Sequence, residues 1–207
     1  MYIELTHRME EEMPVYPGTE KPVFDKSFTI EKNGFAETQV RMFSHTGTHM
    51  DAPAHMVLGG KTLDEYPVDH FIGEAYILDM TAGVPSIGDL EADAEWIKKS
   101  DFIIMKTGWS EKWGTESYFD DFPVLTEELL DYLLQFDIRG FGVDAISVDP
   151  VSTTTFDNHM KMFAKECTIV ENLKNLESIP QKNFRIIMLP LFTKDSDGFS
   201  ARVVAEV

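Results

Sequence analysis

From Phe35 to Phe43 apolar and polar positions alternate, with Ala36, Thr38, Val40 and Met42 on one side and Glu37, Gln39 and Arg41 on the other. A period of two is that of a strand with one covered face, so this segment is expected to be a half-buried strand. Tyr2 to Thr6 is a shorter β-leaning segment, and Met13-Pro14-Val15-Tyr16-Pro17-Gly18 is a loop by its two prolines and glycine. Five apolar runs bounded by glycine, proline or polar residues predict buried strands: Phe102 to Met105, Phe141 to Val143, Thr168 to Val170, Arg185 to Leu189 and Ala201 to Val204. Helical spacing is clearest after Thr126, a candidate N-cap followed by Glu127 and Glu128 and by the apolar stripe Leu129, Leu130, Leu133 and Leu134. Asp89 to Lys99 predicts a second helix, led by acids and closed by Lys98 and Lys99, and Leu63 to Tyr66 predicts one helical turn. Strands and helices mix without strict alternation, which predicts an α/β or α+β fold with a mixed central β-sheet.

Length and composition narrow the picture. The 207 residues, 43% hydrophobic, suit one compact domain over 1–207, without repeats or low-complexity tracts. Lys+Arg total 18 against 36 Asp+Glu, a net charge of -18 that repels phosphate backbones and anionic lipid, so nucleic-acid and membrane partners are not expected. One cysteine, Cys167, excludes an internal disulfide, and no apolar leader is visible. A cytoplasmic location is the simplest expectation.

The chemistry concentrates in His45-Thr46-Gly47-Thr48-His49-Met50-Asp51-Ala52-Pro53-Ala54-His55, which holds three of the chain's six histidines. Gly47 and Pro53 oppose a helix, whereas an extended chain points His45, His49, Asp51 and His55 to one side. At roughly 3.3 Å per residue, a straight chain would separate His45 and His49 by about 13 Å, too far for one ion. The chain must bend, and Gly47 permits it. Imidazole and carboxylate donors suit zinc or manganese, and three ligands (His45, His49, Asp51) leave a position open for water. Such a cation lowers the pKa of a water from about 15.7 to about 7, while His55 remains free to move protons. Asp157-Asn158-His159-Met160, with Glu171 ending an apolar run, adds a second candidate pair: if Asp51 bridges two ions, His159 and Glu171 complete a two-metal site.

These residues resemble the metal-dependent cyclase family of hydrolases, which includes bacterial kynurenine formamidases and isatin hydrolases. The signature H-x-G-T-H-x-D-x-P-x-H stands complete from His45 to His55. The likeness continues through Pro14-Val15-Tyr16-Pro17-Gly18, Thr107-Gly108-Trp109, Gly140 to Ala145, the His159 to Glu171 spacing and Leu189-Pro190-Leu191. By this resemblance His45, His49 and Asp51 hold one metal, Asp51, His159 and Glu171 hold a second, and His55 is the acid/base. The carboxylate at Glu171 implies two zinc ions, with manganese as the alternative; isatin hydrolases resemble single-manganese enzymes with another residue there. The formamidases present a tryptophan from the proline-rich loop where this chain has Tyr16, which keeps aromatic stacking against substrate. The resemblance also implies a swivelling β/β/α domain and a homodimer or homotetramer.

The expected activity is amide hydrolysis of a small aromatic substrate such as N-formylkynurenine, with His55 protonating the leaving nitrogen. The alternatives are hydrolysis of a cyclic amide, lactone or carbamate on the same fold, and a metal-binding module without turnover. No G-x-S-x-G, G-x-G-x-x-G, P-loop or C-x-x-C motif is present. Cys167 reads as a core residue, Trp109, Trp113, Tyr118 and Phe119 as substrate wall or core, and His7 and His70 as ordinary surface or strand residues.

Overall fold

The computed structural model describes residues 1–207. In chain order it contains β1 (Tyr2–Glu4), β2 (Val23–Phe28), α1 (Ile30–Asn33), β3 (Glu37–Arg41), β4 (His49–Asp51), β5 (Ile72–Asp79), α2 (Ala94–Ile97) and β6 (Phe102–Lys106). There follow α3 (Glu127–Leu133), β7 (Gly140–Val143), α4 (Asp157–Phe163), β8 (Thr168–Glu171), β9 (Asn183–Pro190) and β10 (Gly198–Glu206), with short 3-10 turns between. All five runs expected as buried strands are strands; β6, β7 and β8 are buried as expected, while β9 and β10 bury only alternate residues. No helix is long and apolar enough to cross a membrane.

The main sheet runs β1-β10-β4-β8-β7-β6-β5-β9, and β10 also pairs with β9. The strands from β10 round to β9 therefore close into a seven-stranded mixed barrel, with β1 laid on β10. Neighbours from β5 to β8 are parallel, and the remaining pairs are antiparallel. Alternate residues fill the inside, including Met50, Ile77, Ile104, Val170, Ile186 and Val203. The other face of β5 to β8 packs Leu78, Met105, Val143 and Ile169 against Leu129, Leu130 and Leu133 of α3 and Met162 and Phe163 of α4. Each such aliphatic side chain contributes about 1.5–3 kcal/mol by leaving water. Thr126 caps α3 as its sequence implies, its Oγ1 accepting the Leu129 N–H at 3.2 Å.

Three expectations need correction. The alternating segment is a strand, but β3 pairs only with β2 in a separate two-stranded ribbon, and all five of its residues are exposed. Val40 on its apolar side stays exposed, as do Val23 and Phe28 of β2. The expected 89–99 helix begins as a 3-10 turn over Ile87–Asp93, started by Ser86, whose N–H donates to Asp89 Oδ2 at 2.8 Å. It becomes α-helical only over Ala94–Ile97, because Leu90 and Ile97 alone are buried and the stripe is too sparse to hold more.

His7 is a core residue. Its ring stacks on Trp113 with centroids 3.8 Å apart, and its backbone N–H donates to Thr48 Oγ1. Burial, reinforced by the nearby Lys174 charge, pushes its pKa from 6.5 down to about 4. The unfolded chain then binds a proton that the fold refuses, so the stability contribution is whole above about pH 6.5 and is lost as pH falls towards 4. At about 1.4 kcal/mol per pH unit, the loss is on the order of 3 kcal/mol. His7→Phe keeps the stack and removes the titration, so urea midpoints at pH 7 and pH 4.5 should differ less for the variant than for the wild type. Equal differences would place the acid sensitivity elsewhere.

Candidate metal centre

Strand register builds the site. In β4 and β8 His49 stands opposite Glu171 and Asp51 opposite Ile169, and opposed residues share a face. His49 and Asp51, two apart, therefore join Glu171 outside the barrel, while Met50 and Val170 point into it. Before β4 the chain turns sharply at Gly47, with φ of +68°, and the bend that the spacing demands is present. It returns His45 over Asp51, with Nδ1 2.5 Å from Asp51 Oδ1 and Nε2 3.0 Å from Asp197 Oδ2. A Cβ on Gly198 would stand 2.4 Å from His45 Cε1, so only glycine there lets the imidazole lie against β10. The extended run ends sooner than its alternation implies: it covers only His49–Asp51, and a 3-10 turn over Pro53–His55 delivers His55. The His55 ring packs on His45 with centroids 3.8 Å apart.

The second group comes from α4 and the end of β8. Asp149 accepts the backbone N–H groups of Asn158 and His159, both at 3.0 Å, and also lies 2.6 Å from His159 Nδ1. One carboxylate thus caps the helix and fixes the histidine. The free Nε2 lies 3.3 Å from Glu171 Oε1 and 3.9 Å from Asp51 Oδ2. His49 is oriented likewise by its Nδ1, 2.8 Å from the Gly47 carbonyl, which leaves Nε2 3.1 Å from Asp51 Oδ1 and 3.6 Å from Glu171 Oε2.

Two donor clusters therefore overlap at one residue, Asp51, and a third, more exposed grouping of His45, His55 and Asp197 shares His45 with the first. The ligand atoms of His45, His49 and Asp51 lie within 4.8 Å of one another, as do those of Asp51, His159 and Glu171. Asp51 serves the first through Oδ1 and faces the second through Oδ2. Asp51 is 1% exposed, His159 3%, His49 4% and Glu171 5%, and carboxylates this deeply buried need countercharge. Burial opposes protonation of His45 and His159. The carboxylates outweigh it: Asp51 and Asp197 lift His45 to about 9, and Asp149 and Glu171 lift His159 to about 10. Asp51 itself is held well below the usual carboxylate range, its burial overcome by His49 and His45. Imidazole nitrogens and carboxylate oxygens at this spacing suit divalent cations of zinc or manganese type.

A cavity of about 480 Å³ opens above the clusters. His45, His49, His55, His159 and Glu171 line it, and Tyr16, Phe43, Met56, Ile146 and Phe156 add aromatic and apolar wall. Trp109, Trp113, Tyr118 and Phe119 are not on it; they belong to the apolar layer outside the barrel. Cys167 is buried, burial pushes its thiol up to about 12, and it serves as a core residue. Asp149 and Asp197 escaped the sequence analysis, as did Phe43, Met56, Ile146 and Phe156. None has a motif spacing that would mark it.

A closed mixed barrel with histidines and carboxylates gathered beneath a cavity is the arrangement of a candidate metal site. The Cyclase family model, described as "Putative cyclase", matches residues 3–150, and the chain belongs to that family. It is 28% identical over 204 residues to kynurenine formamidase of Bacillus cereus, covering 98% of this chain and 96% of that one. A solved structure described as a potential metal-dependent hydrolase with cyclase activity is 29% identical, with a TM-score of 0.80 over 99% of this chain and 96% of that one. An isatin hydrolase bound to the product analogue thioisatinate shares the fold with a TM-score of 0.87 at 24% identity, over 100% of this chain and 92% of the other.

Proposed function

We propose that the protein is a metal-dependent amide hydrolase whose substrate is an aryl formamide, N-formylkynurenine or a close relative of it. The observation that carries this is the shared Asp51: one buried carboxylate belongs to both donor clusters at the floor of a cavity with aromatic walls. His45, His49 and Asp51 hold one divalent cation and Asp51, His159 and Glu171 a second, with zinc favoured by the donor set over manganese. Cations bound there act as Lewis acids, making water more acidic and polarising the amide carbonyl.

The chain's own residues supply the rest. As water adds to the carbonyl carbon and the C–N bond breaks, the leaving nitrogen must gain a proton, because an amide anion is a very poor leaving group. His55 is placed to deliver it. Burial, supported by the neighbouring His45, holds its pKa below the usual histidine value against the pull of Asp51. The ring is then free to take up the proton that water gives up and pass it to the nitrogen. Asp149, Asp197 and the Gly47 carbonyl hold His159, His45 and His49 in place. Tyr16 offers its ring to an aromatic substrate.

With this activity go one domain over 1–207, the swivelling β/β/α type, a cytoplasmic setting and assembly as a homodimer or homotetramer. A second reading, hydrolysis of a cyclic amide or lactone, draws support from the isatin hydrolase fold and from Tyr16 in the place of a tryptophan. Assay of the zinc-loaded protein against N-formylkynurenine, a simple aryl formamide and isatin separates them. Formamide cleavage that chelation abolishes and zinc restores is expected. Ring opening of isatin alone favours the second reading, and no hydrolysis of any of the three reduces the protein to a metal-binding module.

A further inference from the structure

Asn172 follows Glu171 at the end of β8, is 2% exposed and adopts a left-handed φ of +59°. Every polar group it has is used. Its N–H donates to Ala145 O at 2.9 Å, its C=O accepts the Thr48 hydroxyl at 2.5 Å, its Oδ1 accepts the Tyr118 hydroxyl at 2.8 Å, and its Nδ2 donates to Gly47 O at 3.0 Å. That same Gly47 carbonyl meets His49 Nδ1 at 2.8 Å.

Chemistry fixes the direction of this relay. A peptide carbonyl can only accept, so both groups facing Gly47 O must donate. The Asn172 amide must then turn its nitrogen to Gly47 and its oxygen to Tyr118, and His49 must carry its proton on Nδ1. Nε2 is then the nitrogen turned to Asp51 and Glu171, where a cation would take the place of its proton. The Gly47 peptide sits in the left-handed bend, where a Cβ would come 2.7 Å from Met13 Cε. Its carbonyl is therefore set by two side-chain donors, not by a regular strand ladder.

We infer that Asn172 is a positioning residue for His49: through the Gly47 carbonyl it fixes the ring and tautomer that present Nε2 to the metal centre. Tyr118 keeps the Asn172 amide from turning over. The inference rests on His49 being a metal ligand, and it adds a residue that acts through the Gly47 carbonyl and not as a ligand itself.

Two substitutions separate the amide from the backbone role. Asn172→Gly supplies the left-handed φ at no steric cost but removes the amide. Asn172→Asp keeps the shape and tolerates that φ, yet sets an acceptor against Gly47 O. Cobalt(II) titration of the chelator-stripped protein, followed by visible absorption, should show affinity weakened about 10- to 100-fold in both, the usual cost of losing a group that orients a ligand. The ligand-field bands should shift as well, and melting temperatures of the metal-free proteins report the fold separately. Wild-type affinity and spectrum in Asn172→Gly would overturn the inference. So would a zinc-loaded wild type whose nitrogen NMR shows His49 bound through Nδ1, whatever the variants do. If the wild type takes up no cobalt, the metal-centre reading fails instead.

Discussion

Asp51→Asn should empty both cation sites at once and bring hydrolysis down to the level of the chelator-stripped protein. The reason is geometric: each cluster draws on Asp51, one through Oδ1 and the other facing Oδ2. An amide keeps the shape but has one weak acceptor oxygen and no charge. His49 or Glu171 variants, which remove one donor from a single cluster, should leave more metal behind. The same substitution also touches the metal-free fold, where Asp51 is the counterion of His45 and His49. Removing one partner of a buried pair costs about 3–5 kcal/mol, so the metal-free variant should melt well below the metal-free wild type. Metal analysis by mass spectrometry alongside activity checks the first part. Wild-type stoichiometry in Asp51→Asn would remove the shared-ligand account.

His55→Ala should produce the opposite separation: metal content intact, turnover reduced about 10²- to 10⁴-fold, the usual contribution of one acid/base group. His55 lies beside His45 and within the cavity, but it belongs to neither of the clusters that meet at Asp51. The loss should shrink for substrates whose leaving group needs less help. An aryl ester leaves without a proton more readily than an anilide does, so the variant should retain a larger share of ester hydrolysis than of amide hydrolysis. Equal losses on both would assign His55 to positioning, and full activity would take it out of the mechanism.

The part of this site legible in the sequence is the part written in one short segment. His45, His49, Asp51 and His55 lie within eleven residues, and their spacing requires a bend that Gly47 provides at its positive φ. Asp149 and Asp197 are different. They meet their histidines across 10 and 152 residues of chain, by contacts that only the folded barrel creates. Strands β6, β7 and β8 show as apolar runs because both faces are covered, whereas β9 and β10 bury only alternate residues, and closure does not show. It depends on β10 pairing with β4 over Gly198–Ser200 and with β9 over Ala201–Glu206, a division with no local pattern. Alternation at 35–43 marks a strand with an apolar side; whether anything packs on that side is a tertiary matter, and on β3 nothing does. His7 is the converse case, a residue with no pattern around it that the fold stacks on Trp113.

The most direct test of the shared carboxylate is anomalous scattering from crystals of zinc-loaded protein. Two peaks are predicted, one beside His45 and His49 and the other beside His159 and Glu171, with Asp51 contacting both. A map without a peak at Asp51, or with zinc bound only elsewhere, would contradict the account.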